Sequence, residues 1–433
     1  MTFMANHLVS LNDWLAFQEQ QHSQTIDLGL GRVRQMAQRL GLLSPKALTI
    51  TVAGTNGKGS STAALSAIYT TAGYRTGWYS SPHLLDYNER ICIDNQPVSD
   101  VLLVQAFQAI YAQLEGLTLS YFEWGTLAAL WLFKQQACQI QVLEVGLGGR
   151  LDAVNVIDAD AALITPIDLD HQAWLGNDRA SIAKEKAGIL RAHQVAVCSD
   201  PNPEKSLLDY ADQLGVPLAL MSKDYHYERL DAQNWQWQGL NKRLQLPQPK
   251  LLGEFQLANL SGVLMLVQSL QSKLAVTDEQ IAQGLQAIQL VGRLDYRQLT
   301  GARWLFDVAH NPQSIRALAD YCATHIKHQS ITMVFSALSD KEIAPMVAQL
   351  SPYIDRWYVA VLSSPRAASR AQLQQALAIL PDEQLVWCDS IEQACERAQQ
   401  QPTEVLRLVT GSFVTVEHGL RWWQKQMVNL GEA

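Results

Sequence analysis

The chain has no Cys-x-x-Cys pair; its six cysteines, Cys92, Cys138, Cys198, Cys322, Cys388 and Cys395, stand far apart. Neither a zinc knuckle nor a dithiol redox site is indicated, and buried free thiols in a reducing compartment are expected. Long apolar runs are also missing. The longest, such as LAALWLF at 127–133, fall far short of the ~20 residues that cross a bilayer. The opening MTFMANHLVSLNDWLAFQEQ lacks the basic start and apolar stretch of a signal peptide. Positive charge is scarce: 33 Lys and Arg against 41 Asp and Glu give a net of −8. With no block of like charge, a grip on nucleic acid backbone is excluded as the working mode. A cytoplasmic protein without membrane or nucleic acid partners is expected. An Asn-Lys-x-Asp for guanine is absent, as are internal repeats and low-complexity tracts.

What is present is an alternation. At 433 residues the chain has room for two or three domains. ALTITVAG (47–54), RTGWYSS (75–81), IQVLEVG (140–146), AALITPID (161–168) and QVAVCSD (194–200) read as buried strands, with helical patterns such as SSTAALSAIYTTAG and GTLAALWLFKQQ between them. That order argues for a parallel sheet covered on both faces. Residues 200–260 are less regular and read as antiparallel strands or a cover. A second α/β series begins near 302 with RWLFDVAH, ITMVFSAL, RWYVAVLSS, QLVWCDS and EVLRLVTGS, and LVGRLDYRQ (290–298) joins the two.

Ligands in open α/β sheets bind beyond the carboxyl ends of the strands, and the unusual polar residues gather there. The first strand runs into Gly54-Thr55-Asn56-Gly57-Lys58-Gly59-Ser60. A common P-loop places Gly six residues before its Lys and Ser or Thr just after it; here Val52 and Gly59 occupy those places. The glycines still free backbone N–H groups to turn inward at a helix start. Lys58 then supplies charge for terminal phosphates, and Ser60 or Ser61 can face a magnesium ion. An ordinary strand-to-helix turn is the bland alternative; the phosphate reading is favoured. Further strands end in Ser80-Ser81-Pro82-His83, in Glu144 followed by glycines and Asp152, and in Asp168, Asp170 and His171. Glu144 suits a magnesium ligand, or a cap or partner for Arg150. His171 is a ligand or a satisfied loop histidine. Lys184 and Lys186, in SIAKEKAGIL, read by pattern as solvated charges. Asp307 ends a later strand before His310, Asn311 and Pro312; it is a ribose ligand or a helix cap, with Pro312 suited to a first helical turn.

Seven motifs, GTNGKGS, YSSPH, LEVGLGGRLDA, DLDHQAWLG, KEKAGI, Gly-Arg at 292–293 and DVAHNP, stand in one order between residues 54 and 312. In that order they resemble the folylpolyglutamate synthases, amide ligases related to the Mur ligases, and the loop resembles their G-T-x-G-K form. TIDLGLGRV (25–33) and LSYFEWGTLAALWLF (119–133) resemble the bacterial bifunctional enzymes, which also make dihydrofolate. The resemblance implies an α/β chain: a P-loop-type, mostly parallel ATPase domain over 1–296 with a pterin pocket, then a smaller Rossmann-like glutamate-ligase domain over 297–433. It implies a monomer acting on dihydropteroate, reduced folates and L-glutamate with ATP, one or two Mg²⁺ ions and room for a monovalent cation. By the same resemblance Thr55, Asn56, Gly57, Lys58, Gly59 and Ser60 hold phosphate. Ser81, Glu144 and His171 hold the metal, and Asn259, Arg293 and Asp307 contact ATP. Ile26, Asp27, Leu28, Ser120, Tyr121, Phe122, Glu123, Leu151, Asp152 and Ala153 line the short-acceptor pocket. Lys186 is carbamylated, against its pattern reading, and His310 approaches the γ-phosphate. Val154, Val291 and Phe255 depart from the family pattern without touching its phosphate or metal motifs. A folate-extending enzyme without dihydrofolate synthesis, or a P-loop NTPase that is no ligase, remain the rivals.

Overall fold

A computed structural model describes residues 8–22 and 27–431. The chain forms two compact units, Met1–Lys250 with Gln256–Gln289, and Leu251–Phe255 with Leu290–Ala433.

Among the described residues, the first unit holds eight strands in one sheet: β1 (Leu48–Ala53), β2 (Thr76–Tyr79), β3 (Ile91–Ile93), β4 (Gln96–Pro97), β5 (Ile140–Glu144), β6 (Ala161–Ile164), β7 (Val195–Cys198) and β8 (Leu218–Leu220). Their order is β4-β3-β2-β5-β1-β6-β7-β8, parallel from β2 to β8, with β3 and β4 antiparallel at one edge. Strands alternating with helices give this topology, since each crossover returns the chain in the same direction. The β-branched run LTITVA of β1 is covered on both faces, as a central parallel strand requires. The chain leaves β1 toward β2 on one side and later takes β6 on the other, so the carboxyl end of β1 is a topological switch point.

The segment 200–260 carries more than the sequence suggests. Helix Lys205–Leu214 and β8 extend the parallel sheet; β8 has three half-buried residues, too weak a pattern to signal a strand. Then β9 (Tyr225–Arg229), β10 (Asn234–Gly239) and β11 (Lys242–Pro247) form an antiparallel sheet. In NWQWQG the period-2 alternation buries Trp235 and Trp237 and leaves the glutamines outward, the pattern of a sheet covered on one face.

The second unit carries β12 (Asp295–Leu299), β13 (Ala302–Phe306), β14 (Ile331–Phe335), β15 (Arg356–Val359), β16 (Leu385–Trp387) and β17 (Leu406–Thr410). The order is β12-β13-β17-β14-β15-β16, with only edge strand β12 antiparallel. Buried Arg407 on β17 donates to the carbonyls of Ala398, Gln401, Pro402, Thr403 and Val405. It fastens the loop after helix Ile391–Gln399, whose carbonyls lack helical partners.

Candidate active site

Beyond β1 the backbone turns through Gly54 (φ 156°) and Gly57 (φ 89°) into helix Lys58–Thr71. Glycine is required at both points. A Cβ on Gly54 would sit 1.8 Å from Thr165 Oγ1, and one on Gly57 2.4 Å from Asn259 Oδ1. Thr55 pins the loop to the β6 exit: its N–H donates to Pro166, its hydroxyl to the Asp168 carbonyl, and Asp168 N–H returns to that hydroxyl at 3.0 Å. The exit is itself held by Asp200, which accepts from Ile167 N–H, and by Arg179, which donates to the Ile167 carbonyl.

Two ammonium groups meet on one atom here. Lys58 Nζ donates to the Gly54 carbonyl at 3.0 Å, and Lys186 Nζ reaches the same oxygen at 2.8 Å. Lys186 is buried, and burial followed by the Lys58 charge lowers its pKa to about 7, against the pull of Asp170 and Asp152. The pattern reading of Lys186 as solvated is therefore wrong, whereas Lys184 is exposed. Helix Arg179–Ala187 buries Ile182, Ala183, Lys186 and Ala187, one face at helical spacing; that stripe was legible in the sequence.

Glu144 ends β5 opposite Val52, and a Cβ on Gly59 would lie 3.7 Å from its carboxylate. Arg150 is engaged with Glu185. Ser81 follows β2, whose Tyr79 pairs with Leu143, so Ser81 and Glu144 leave adjacent strands at the same edge. His171 stands in a left-handed conformation (φ 52°), its N–H on Asp170 Oδ1 and its Nε2 3.9 Å from Asp170 Oδ2. Among the described residues no three His, Cys, Asp or Glu side chains form a metal site unaided. A hydroxyl, a carboxylate and an imidazole fit an ion that keeps waters and takes phosphate oxygens, as Mg²⁺ does. Two buried atoms await partners beside the loop, Ser61 Oγ and Asn259 Oδ1; Ser60 is buried one turn into the same helix.

The pterin-side residues surround the start of helix Tyr121–Gln135. Ser120 and Glu123 close a capping box. Glu123 pairs with Arg32, which also holds Asp27 at 2.6 Å, and His22 reaches Asp27 at 3.0 Å. The Phe122 ring lies over Gly146, where a Cβ would come within 2.6 Å of it, and 5.8 Å from the Tyr79 ring. Asp152 accepts from Leu147 and Val154 N–H; burial raises its pKa to about 6. Leu28 and Leu151 are half-buried, while Ala153 and Val154 pack into the core. Ile26 lies outside the described residues. The sequence reading missed Arg32, Tyr79 and Arg90; Asn88-Glu89-Arg90, polar and directly before β3, was the available signal.

The second unit has its own cluster. Both Asp307 oxygens accept backbone N–H groups, from Leu294 and Ala309, and burial raises its pKa despite Arg293. The Arg293 guanidinium sits 5.1 Å over Phe413. His310 Nδ1 is 2.8 Å from the Val308 carbonyl. Asn311 caps helix Pro312–His325 with Pro312 in its first turn.

Residues 292–413 match the family described as Mur ligase, glutamate ligase domain. A dihydrofolate synthase/folylpolyglutamate synthase of Escherichia coli (strain K12) is 39% identical over 415 residues, 94% of each chain. The structure of E. coli FolC in complex with DHPP and ADP is similar at TM-score 0.91 and 38% identity, covering 96% of this chain and 98% of that one. A bifunctional folylpolyglutamate synthase/dihydrofolate synthase with Mn, AMPPNP and L-glutamate bound matches at TM-score 0.88 and 41% identity, over 96% of this chain and 98% of that one.

Proposed function

The chain belongs to the dihydrofolate synthase/folylpolyglutamate synthase family, and from that premise we propose how its residues carry the reaction. It is an ATP-dependent carbon–nitrogen ligase that joins L-glutamate to dihydropteroate and to reduced folates. A carboxylate is a poor acyl donor because its leaving group would be oxide. Transfer of the γ-phosphoryl group of ATP makes an acyl phosphate and ADP; the glutamate amine then attacks the acyl carbon and phosphate leaves.

The loop N–H groups and Lys58 stabilise charge on the transferring phosphoryl group, most of what such catalysis requires. Lys58 moves to phosphate from the Gly54 carbonyl that it shares with Lys186. Ser81, Glu144 and His171 hold a divalent cation, which when bound neutralises phosphate charge and orients its oxygens. Lys186, held near pKa 7, presents a neutral amine that captures carbon dioxide: an N–C bond forms, a proton leaves, and an anion takes the place of the amine beside Lys58. Asn259, Arg293 and Asp307 contact ATP, and His310 the γ-phosphate. Phe122, with Asp27, Leu28, Ser120, Tyr121, Glu123, Leu151, Asp152 and Ala153, forms the dihydropteroate pocket. The functional division is an ATP- and pterin-binding part through residue 296 and a glutamate-ligase part beyond it. All six thiols are free and buried, which supports a cytoplasmic setting. A monomer is the proposed working form.

The observation that carries this reading is the pair of lysines on one glycine-loop carbonyl beside Glu144. Its test offers dihydropteroate and tetrahydrofolate separately, with ATP and glutamate. Each gives an amide product, and ADP forms only when acceptor and glutamate are both present. ADP release without either would instead indicate a plain NTPase, and no dihydrofolate from dihydropteroate would restrict the enzyme to extending folates.

A further inference from the structure

An acceptor carboxylate must approach the polyanionic end of ATP, which calls for a cation on the acceptor's side. Arg90 stands at the start of β3, its carbonyl accepting Ser80 N–H at 2.9 Å, beside the Ser81 turn. It is only 8% exposed. Its guanidinium lies 5.4 Å from the ring centroids of both Tyr87 and Tyr121, and its Nε donates to His83 Nδ1 at 2.8 Å.

No carboxylate among the described residues pairs with Arg90. Adjacent Glu89 is engaged by the N–H groups of Leu84, Leu85 and Asp86. The Asp152 oxygens are taken by Leu147 and Val154. Burying a cation without a counter-ion is costly. The Tyr87 and Tyr121 rings are perpendicular with centroids 5.6 Å apart, so both pack on one side of the guanidinium, and Tyr79 hydrogen-bonds it as well. None of these supplies a charge, whereas a planar carboxylate matches the arginine fork in two bonds. Tyr121 adjoins Phe122, whose ring lies by Tyr79 and Gly146. Arg90 thus stands between that aromatic wall and the Ser80–Ser81 turn.

We propose that Arg90, packed against Tyr87 and Tyr121, binds the carboxylate of the acceptor acid through its guanidinium fork. The assignment rests on the reading of this region as the acceptor and ATP site. Its test compares two ligands on the whole enzyme without turnover: dihydropteroate, and the same molecule with its carboxylate replaced by hydrogen. In Arg90→Gln, dihydropteroate binding weakens by about 10- to 100-fold, the size of a charged hydrogen bond, while the decarboxylated ligand is nearly unaffected. In Arg90→Lys, which keeps the charge and loses the fork, the selective loss is smaller but present, and this variant carries the comparison if the glutamine one does not fold. Equal weakening of both ligands, or of neither, overturns the proposal. Wild-type enzyme that makes no dihydrofolate from dihydropteroate would refute the acceptor reading itself, a failure distinct from that of Arg90.

Discussion

In the first unit, the strand ends bring two ammonium groups onto one carbonyl and leave Ser61 Oγ and Asn259 Oδ1 buried without partners. In the second, Asp307 ends β13 with both oxygens taken by backbone N–H, and Asn311 and Ser314 cap each other. Both units are parallel sheets with polar carboxyl edges. The first crowds two lysine amines onto one carbonyl, whereas the second spends both oxygens of its strand-end carboxylate on backbone N–H groups. Chemistry that moves charge belongs where cationic groups crowd a preorganised loop.

The strongest way to break this contrast is Lys58→Ala. With an unchanged circular dichroism spectrum, turnover falls by about 10²-fold or more, since several kcal/mol of charge stabilisation are lost. Near-normal turnover in the purified variant would remove the first unit's claim to the chemistry.

Next in size is the pocket. Asp152→Asn, which keeps one acceptor oxygen, and Phe122→Ala lower kcat/KM for dihydropteroate by about tenfold, and for tetrahydrofolate by about threefold or less. The longer acceptor carries an extra glutamate, so one phosphate site cannot hold both pterins in one position. Equal losses would mean a single shared pterin position.

On the second unit, Asp307→Asn raises KM for ATP by about fivefold and changes kcat little, as expected for loss of a charged hydrogen bond to ribose. A collapse of kcat with unchanged KM would move that residue into the chemical step.

The last prediction concerns stability. Lys186 falls from 10.5 to about 7 in the folded chain, so between pH 7 and 10.5 the unfolded chain binds more protons and stability rises with pH. In bicarbonate-free buffer the difference in melting temperature between wild type and Lys186→Met shifts toward wild type across that window. A flat difference would show that the amine is not depressed. Adding ¹³C-bicarbonate with Mg²⁺ near pH 8 gives a carbamate resonance in the wild type that Lys186→Met lacks.

Much of the fold was legible because local rules agreed with it. The β-branched runs became strands, and Asn311-Pro312 opened a helix. β8 was not legible: its three half-buried residues owe their pairing to β7. Lys186 was misjudged by pattern, since a lysine is by default solvated; its place beside Ile182 and Ala183 on the buried helix face decided otherwise. Glu123 was expected to line the pterin pocket; that its carboxylate also pairs with Arg32, across 91 residues of chain, was not legible.

The sequence alone determined the alternation, the glycine loop with its lysine, and the order of polar strand ends, because periodicity, turn chemistry and charge are local properties. Tertiary structure alone decided which charges face each other. Lys58 and Lys186 are remote in the chain and share one carbonyl only because β1 lies beside β6 and the helix after β6 returns over the loop. Arg90 meets Tyr121 for the same kind of reason. Electrostatics depends on distance through space and on burial, and neither is written at any single position of the chain.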